Sequence, residues 1–500
     1  MDVKRTLPYN TRKSDAASYP HCPEGENKVA IYHKIGKIRP INSLDATDTR
    51  FGIGMEKLDR AVFDPVKVYD AVAKLGVKRV RLQSGWMRTE KKKGIYDFLW
   101  LDEVVDNLIE RGIRPWICLC YGNPLYTESA RDIFGAVGYP PVSTKEERSA
   151  WANYCESVAR HFKGRVSEYE VWNEPDSEWC WKSGVKGAEY GKFVIETAKA
   201  VKKGDKNAVI LAGSICNREF IEWTEAAFSV GMGDYTDVFT YHDYCEHERR
   251  TSETVSVLRS LTSKYNEKIK LANGETGCPS SGDGFGAMAH GNWSEDKQAR
   301  LLTRRIIAEL YNEVTFVSWF TAVDMIEALN GKNSDKSSYL DYGYFGVLRA
   351  EFDRNGFSSG EYSPKLSFYA LANVVSLFQN AKKSDFPLMI RSKTYSDKIY
   401  DFTDEYADLT TAMFEKSGGG RAFAYYKSTN VLTTTYEGVF EIKTAFPFKS
   451  VRLADVLTGD VFEIPQENIT DKGYGVYAFR DLPVKDYPMA ILFDDFEKNN

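Results

Sequence analysis

Between residues 50 and 380, short β-type runs alternate eight times with amphipathic helical patterns, and this alternation limits the fold more than any other feature of the chain. The runs are Phe51–Met55, Arg79–Gln83, Pro115–Tyr121, Glu168–Trp172, Val209–Gly213, Asp237–Tyr241, Ile269–Asn273 and Phe316–Thr321. Several are almost continuously apolar, as strands buried on both faces of a parallel sheet must be. The helical segments are Asp64–Leu75, Leu99–Arg111, Thr144–Phe162, Ala188–Lys203, Arg218–Val230, Ser252–Tyr265, Ser294–Tyr311 and Lys365–Gln379. In the first, Asp64 suits the cap and Pro65 the opening turn. In the second, Leu101, Val104, Val105, Leu108 and Ile109 recur at helical spacing until Gly112 ends it. Eight strand–helix units predict an α/β fold closed as a (β/α)8 TIM barrel. The alternative is an open doubly wound sheet, although no Gly-x-Gly-x-x-Gly follows the first strand.

From about Lys382 the pattern changes to period-two alternation in Lys398–Thr403, Ala422–Lys427, Thr433–Phe440 and Met489–Phe493, with turn signals such as Ser417-Gly-Gly-Gly420. This predicts a C-terminal antiparallel β-sandwich. The domains are therefore expected as an N-terminal segment 1–48, a barrel 49–380 and a β-sandwich 381–500. The segment Val29–Pro40 is placed to add a strand to that sandwich. The sandwich is expected to pack against the barrel, with carbohydrate binding as the alternative role.

The balance of residues narrows the partners. A net charge of −5 without a long basic run leaves nucleic acid no electrostatic footprint. No apolar stretch is long enough to span a bilayer, so no membrane partner is expected. Met1–Pro8 lacks the apolar core of a secretory signal, and the eight cysteines are irregularly spaced, several in apolar runs. Both point to a cytoplasmic location, or an extracellular one if a leader has been removed. Nothing in the sequence sets oligomeric state, and a homo-oligomer stays open.

In a TIM barrel the strand ends on one face build the site. Strand two ends with Arg81-Leu-Gln83-Ser-Gly-Trp86, strand three with Tyr121-Gly-Asn123, and strand four with Asn173-Glu174. Strand six supplies His242-Asp-Tyr244, strand seven Glu275 and strand eight Trp319. Paired carboxyls, a cation, amide and hydroxyl donors and flat aromatic rings suit a polyol, with no phosphate cradle and no expected cofactor or metal. Two strand-end glutamates are what glycosidic hydrolysis requires: one protonates the leaving oxygen and the other attacks the sugar or activates water. An ionised nucleophile needs donors, for which Arg81 and Tyr244 are the candidates, with a merely structural ion pair as the lesser alternative for Arg81. Asn173 is placed to bond a sugar hydroxyl, Trp319 to floor the pocket, and Tyr121, Trp86, Trp179 and His242 to line it. Glu168 and Glu170 flank the strand that carries Glu174, and one of them could face the barrel interior. His242, Cys245 and His247 can be read as metal ligands, but their spacing fits no standard zinc site.

Val171-Trp-Asn-Glu-Pro-Asp176, with Gly274-Glu275-Thr276, resembles the retaining glycoside hydrolases of clan A. The resemblance extends to Gly94-Ile-Tyr-Asp-Phe98 with Leu101-Asp-Glu103, and to Ser363-Pro-Lys-Leu-Ser-Phe-Tyr-Ala370. Within the clan the chain is most similar to family 39, which includes β-xylosidases and α-L-iduronidases. The resemblance implies Glu174 as acid/base and Glu275 as nucleophile. Cys120-Tyr121-Gly122-Asn123-Pro124 and the Trp179-Cys180-Trp181 loop depart from the family pattern. The expected activity is a retaining exo-glycosidase acting on short plant-type oligosaccharides or glycosides. An endo-acting glycanase of the clan and an inert sugar-binding barrel are the alternatives. Trp179, Trp181 and the Asp324–Ser363 loop, with Tyr339, Tyr342, Tyr344 and Phe345, are the expected material for closing the pocket.

Overall fold

The computed structural model describes residues 32–131, 135–329, 340–395 and 409–498. A short strand, β1 (Lys34–Lys37), comes first. The barrel strands follow: β2 (Phe51–Gly54), β3 (Arg79–Gln83), β4 (Arg114–Leu119), β5 (Glu168–Val171), β6 (Val209–Ile215), β7 (Val238–His242), β8 (Lys270–Thr276) and β9 (Val317–Trp319). Each is parallel to its neighbour, and β2 pairs with β9 through Phe51–Val317 and Ile53–Trp319, which closes the ring. The closed barrel expected from the alternation is therefore present, and the open sheet is excluded.

The helices are α1 (Tyr69–Ala73), α2 (Trp86–Thr89), α3 (Leu99–Glu110), α4 (Lys145–His161), α5 (Gly187–Gly204), α6 (Ile221–Ser229), α7 (Arg250–Ser263), α8 (Glu295–Tyr311) and α9 (Leu366–Leu377). Their starts follow local chemistry. Thr144 and Glu147 form a reciprocal capping box on α4, and Ser294 caps α8 through the Lys297 amide. The first expected helix is divided. Asp64 accepts from the Val66 amide over a 3-10 turn at Pro65–Lys67, and only Tyr69–Ala73 is α-helical. The stretch after β9 is not one loop: among the described residues it folds into two hairpins, β10 (Met325–Leu329) with β11 (Leu340–Gly343), and β12 (Leu348–Phe352) with β13 (Ser358–Pro364).

The C-terminal strands are β14 (Lys382–Lys383), β15 (Leu388–Tyr395), β16 (Leu409–Glu415), β17 (Arg421–Lys427), β18 (Glu437–Thr444), β19 (Val451–Asp455), β20 (Asp460–Glu463), β21 (Ile469–Asp471), β22 (Tyr477–Lys485) and β23 (Met489–Phe493). They form two antiparallel sheets, ordered β1-β20-β19-β23-β17-β16-β14 and β15-β18-β22-β21. β1 thus belongs to the larger of them. The expected run Lys398–Thr403 lies outside the described residues. Alternation along β17 and β23 serves two cores at once. Phe423, Tyr425, Ile491 and Phe493 pack between the sheets, while Ala422, Ala424, Ala490 and Leu492 join the barrel's hydrophobic cluster. Small side chains on that face let the sheet lie close to the barrel helices.

Candidate active site

The site lies where β3, β5, β7 and β8 end, and one side chain organises it. Arg81 on β3 is fully buried, and its three nitrogens serve three partners. Nε donates to Glu170 Oε2 at 2.7 Å, Nη1 to Glu275 Oε2 at 2.8 Å and Nη2 to Asn173 Oδ1 at 2.9 Å. A planar guanidinium can hold three groups in fixed relation in a way that a lysine cannot. Glu170, on β5, is as deeply buried. Beyond Arg81 it accepts from Ser214 Oγ and Thr240 Oγ1, each at 2.7 Å. Burial works to raise its pKa, but the Arg81 charge, His242 and the two hydroxyls outweigh it and hold the group below the usual carboxylate range. Of the two flanking glutamates, Glu170 faces the interior, whereas Glu168 pairs with Arg79.

The chain leaves β5 through a contorted turn. Trp172 has φ of 66° and Glu174 of 44°, the left-handed region that non-glycine residues rarely adopt. Trp172 is pinned there by its indole N–H on the Cys180 carbonyl at 2.8 Å and by edge-on contacts with Tyr121, Trp151, Trp181 and Phe193. The turn sets Asn173 against Arg81 and directs Glu174 across the barrel mouth.

There Glu174 Oε1 lies 2.9 Å from His242 Nδ1, and the same nitrogen is 3.8 Å from Glu275 Oε2. His242 is enclosed; burial lowers its affinity for a proton, but the charges of Glu275 and Glu174 prevail and raise it. Glu275 takes a second hydrogen bond on Oε1 from the Tyr244 hydroxyl at 2.5 Å. Both carboxyl side chains keep a solvent-facing edge, 23% for Glu174 and 12% for Glu275. Glu174, His242 and Glu275 each present a ligand atom, all within 4.8 Å of one another. A cation bridging them would face the Arg81 charge and two donors already bound to Glu275, so the arrangement suits an acid–base pair better than a metal centre.

The remaining strand-end residues divide. Trp319 ends β9 beside Thr276, almost fully buried, with an indole N–H that has no protein acceptor. Tyr121 receives Gln83 Nε2 at 3.1 Å and lies under the Arg60 guanidinium. Trp86 is not brought into the site. It has no exposed surface, stacks between Tyr126 and Tyr154, and donates to Glu90 at 2.5 Å. Trp179 stands 67% exposed on the loop after Glu174, whereas Trp181 is core, packed on Trp172, Tyr190 and Phe193. Phe345 packs on Tyr244 and Phe320; Tyr339 lies outside the described residues. The metal reading of Cys245 fails because its thiol is engaged by Arg305 at 2.7 Å and donates to the His247 carbonyl. Among the described residues the seven cysteines are all free thiols.

One carboxyl at the site was missed from sequence. Glu56 follows β2 by two residues and reaches within 3.7 Å of Arg81. The strand-end rule, applied to the first strand as to the others, points to Met55-Glu56.

Residues 67–257 match the family model of glycosyl hydrolases family 39. That stretch contains Arg81, Glu174 and Tyr244, and Glu275 lies beyond it. The chain is 30% identical over 131 residues to a β-xylosidase of Geobacillus stearothermophilus, a match covering 25% of each protein. It is 32% identical over 120 residues to one from Caldicellulosiruptor saccharolyticus, covering 22% of this chain and 23% of that protein. The matched stretch thus spans about a quarter of these curated relatives' length. In structure the chain resembles a family 39 glycoside hydrolase from the gut symbiont Bacteroides cellulosilyticus WH2, with TM-score 0.63 and 16% identity over 91% of this chain and 83% of that one. A monomeric β-xylosidase from Caulobacter crescentus CB15 gives 0.57 and 16% identity, covering 91% and 98%. Residues 67–257 thus resemble family 39 glycosyl hydrolases in sequence, and along most of its length the chain shares the fold of solved family 39 enzymes.

Proposed function

We propose that the chain is a retaining exo-glycosidase, β-xylosidase-like, that releases sugars from the non-reducing ends of short plant-type oligosaccharides or glycosides. The observation that carries this reading is the close approach of Glu174 and Glu275, with carboxyl oxygens within 4.8 Å, across His242. Retaining enzymes hold their carboxyls about 5–5.5 Å apart, whereas inverting ones leave room for a water. Glu275, held by Arg81 and Tyr244, attacks the anomeric carbon. Glu174 protonates the departing oxygen and then, as base, takes a proton from the water that cleaves the glycosyl ester. Asn173, fixed through its carbonyl by Arg81, keeps its amide N–H2 end for a sugar hydroxyl; its protein contact there is a 3.7 Å approach to Cys180 Sγ.

A panel of nitrophenyl glycosides identifies the sugar. A 2-deoxy-2-fluoro analogue of the best substrate, carrying a good leaving group, is expected to label Glu275, and peptide mapping to any other residue refutes the assignment. Glu174→Ala is expected to slow unactivated substrates far more than activated aryl glycosides and to be rescued by azide with retained configuration. Mid-length products appearing early from a labelled oligosaccharide would favour endo action.

A further inference from the structure

Two carboxyl groups compete for one N–H at the base of this site. Arg81 Nη1 donates to Glu275 Oε2 at 2.8 Å, and Glu56 Oε1 waits 3.7 Å from the same nitrogen, buried and without a hydrogen-bond partner. The Glu56 carboxyl otherwise takes a hydrogen bond from its own backbone amide and, on Oε2, a 3.4 Å approach from Thr321 Oγ1, whose shorter bond, 2.8 Å, goes to the Gly54 carbonyl. Glu170 and Asn173 occupy the two remaining guanidinium nitrogens. The one guanidinium is therefore shared among Glu56, Glu170 and Glu275. A third buried anion on it would be poorly compensated, which favours a proton on Glu56. Burial and the Glu275 charge push it up to about 7, against the pull of Arg81 and Lys57. Beyond Glu275 stands His242, whose affinity for a proton is raised by the Glu275 charge and by its hydrogen bond with Glu174.

We infer that Glu56 is a positioning residue that takes over Arg81 Nη1 whenever Glu275 is esterified, releasing its proton, and returns the nitrogen when the Glu275 carboxylate is regenerated. The inference rests on the reading of Glu275 as nucleophile. In the first half-reaction Glu275 forms a C–O bond to the anomeric carbon. The bond to the leaving oxygen breaks, and that oxygen takes its electron pair and the Glu174 proton. Glu275 is then a neutral ester, Arg81 Nη1 has lost its anionic acceptor, and Glu56 ionises with its proton passing to solvent. In the second half-reaction water adds to the anomeric carbon and gives a proton to Glu174. The ester electron pair returns to Glu275, and Glu56 regains a proton. No net proton is gained or lost over the turnover, and the guanidinium is never left without an anion in contact.

The test counts protons during trapping. A 2-deoxy-2-fluoro glycoside with a dinitrophenolate leaving group is mixed with Glu174→Gln enzyme at pH 7 and low buffer strength, with an indicator dye. The leaving group departs as an anion, so the bond changes themselves neither take up nor release a proton, and the acid's own proton is out of the count. A carboxyl falling from about 7 to the ordinary range near 4.3 gives up about half a proton per trapped site at pH 7 and about nine-tenths at pH 6. The Glu174→Gln/Glu56→Gln enzyme is expected to release less by that amount, and Glu56→Ala replaces the glutamine if that variant does not fold. Subtraction removes any share from His242. Peptide mass independently reports the adduct on Glu275. Adduct formation with equal proton counts in the presence and absence of Glu56, or with no release at all, overturns the role of Glu56 while leaving Glu275 as nucleophile. Failure to label Glu275 overturns both.

Discussion

Exchanging Glu170 for glutamine keeps the shape of the side chain and removes the charge that lies closest to Arg81. Both groups are fully buried and 2.7 Å apart. Removing one partner of such a pair costs about 3–5 kcal/mol, because the other is left as an isolated buried charge. Here the lower end, about 3 kcal/mol, is expected, since Glu275 still holds Nη1 and Glu56 is near enough to ionise in compensation. The two hydroxyls do not add to the loss, because Ser214 and Thr240 can rotate to accept from the new amide. The effect has a characteristic pH dependence. The pKa of Glu170 is held below its unfolded value, so its charge stabilises the fold above the unfolded carboxylate value of about 4.3, and that stabilisation fades as pH falls through the lower folded value. Urea denaturation followed by tryptophan fluorescence should show a gap between the two proteins at about pH 5 that narrows on further acidification. A gap below about 1 kcal/mol at pH 7, or one that widens in acid, would refute the claim that the Arg81–Glu170 pair anchors the site.

Two further substitutions probe the site from either side. Tyr244→Phe removes the 2.5 Å hydrogen bond to Glu275 but keeps the ring against Phe320 and Phe345. A bond to a charged acceptor is worth about 1.5–3 kcal/mol, so kcat/KM should fall about 10- to 100-fold with the thermal midpoint little changed; a loss under about threefold would take Tyr244 out of the mechanism. Trp86→Phe should lower stability by about 1–2 kcal/mol through lost packing and the lost bond to Glu90, and leave KM within about twofold. A clearly raised KM would return Trp86 to the pocket.

How much was legible follows from what each residue must satisfy. The eight strands could be read because apolar runs buried on both faces carry their own signal, and the two glutamates because each ends such a run. Trp86 and Trp181 were misplaced for one reason. An aromatic residue next to a strand end has the same composition whether it turns toward the mouth or into the helix layer, and only packing on Tyr154 or Tyr190 decides. The hairpins after β9 escaped because their pairing depends on residues that are distant along the loop. Arg81 was assigned to Glu275 by type, but its threefold sharing with Glu170 and Asn173 needed coordinates. Glu56 is the subtlest case: its position was readable, whereas its place beside an already engaged guanidinium depends on where Glu170, Glu275 and Asn173 stand.

Two consecutive residues of α8 also tie the C-terminal sheets to the site. Arg304 is fully buried and reaches outward to Glu248, to the Ser428 hydroxyl and to the Thr429 carbonyl just past β17. Its neighbour Arg305 reaches into the β7–α7 loop, donating to Asp243 at 2.7 Å, to Thr251 at 2.8 Å and to the Cys245 carbonyl at 2.9 Å. Asp243 lies between His242 and Tyr244, the two residues that meet the paired glutamates. Arg300, one turn earlier, adds both oxygens of Asp486 at the end of the sandwich. An exposed ion pair would be worth little for such a purpose. Arg304 and Glu248 are fully buried and paired, and loss of the sandwich would remove the Ser428 and Thr429 groups that bind Arg304. Through α8 the sandwich is thus joined to the loop that carries His242 and Tyr244.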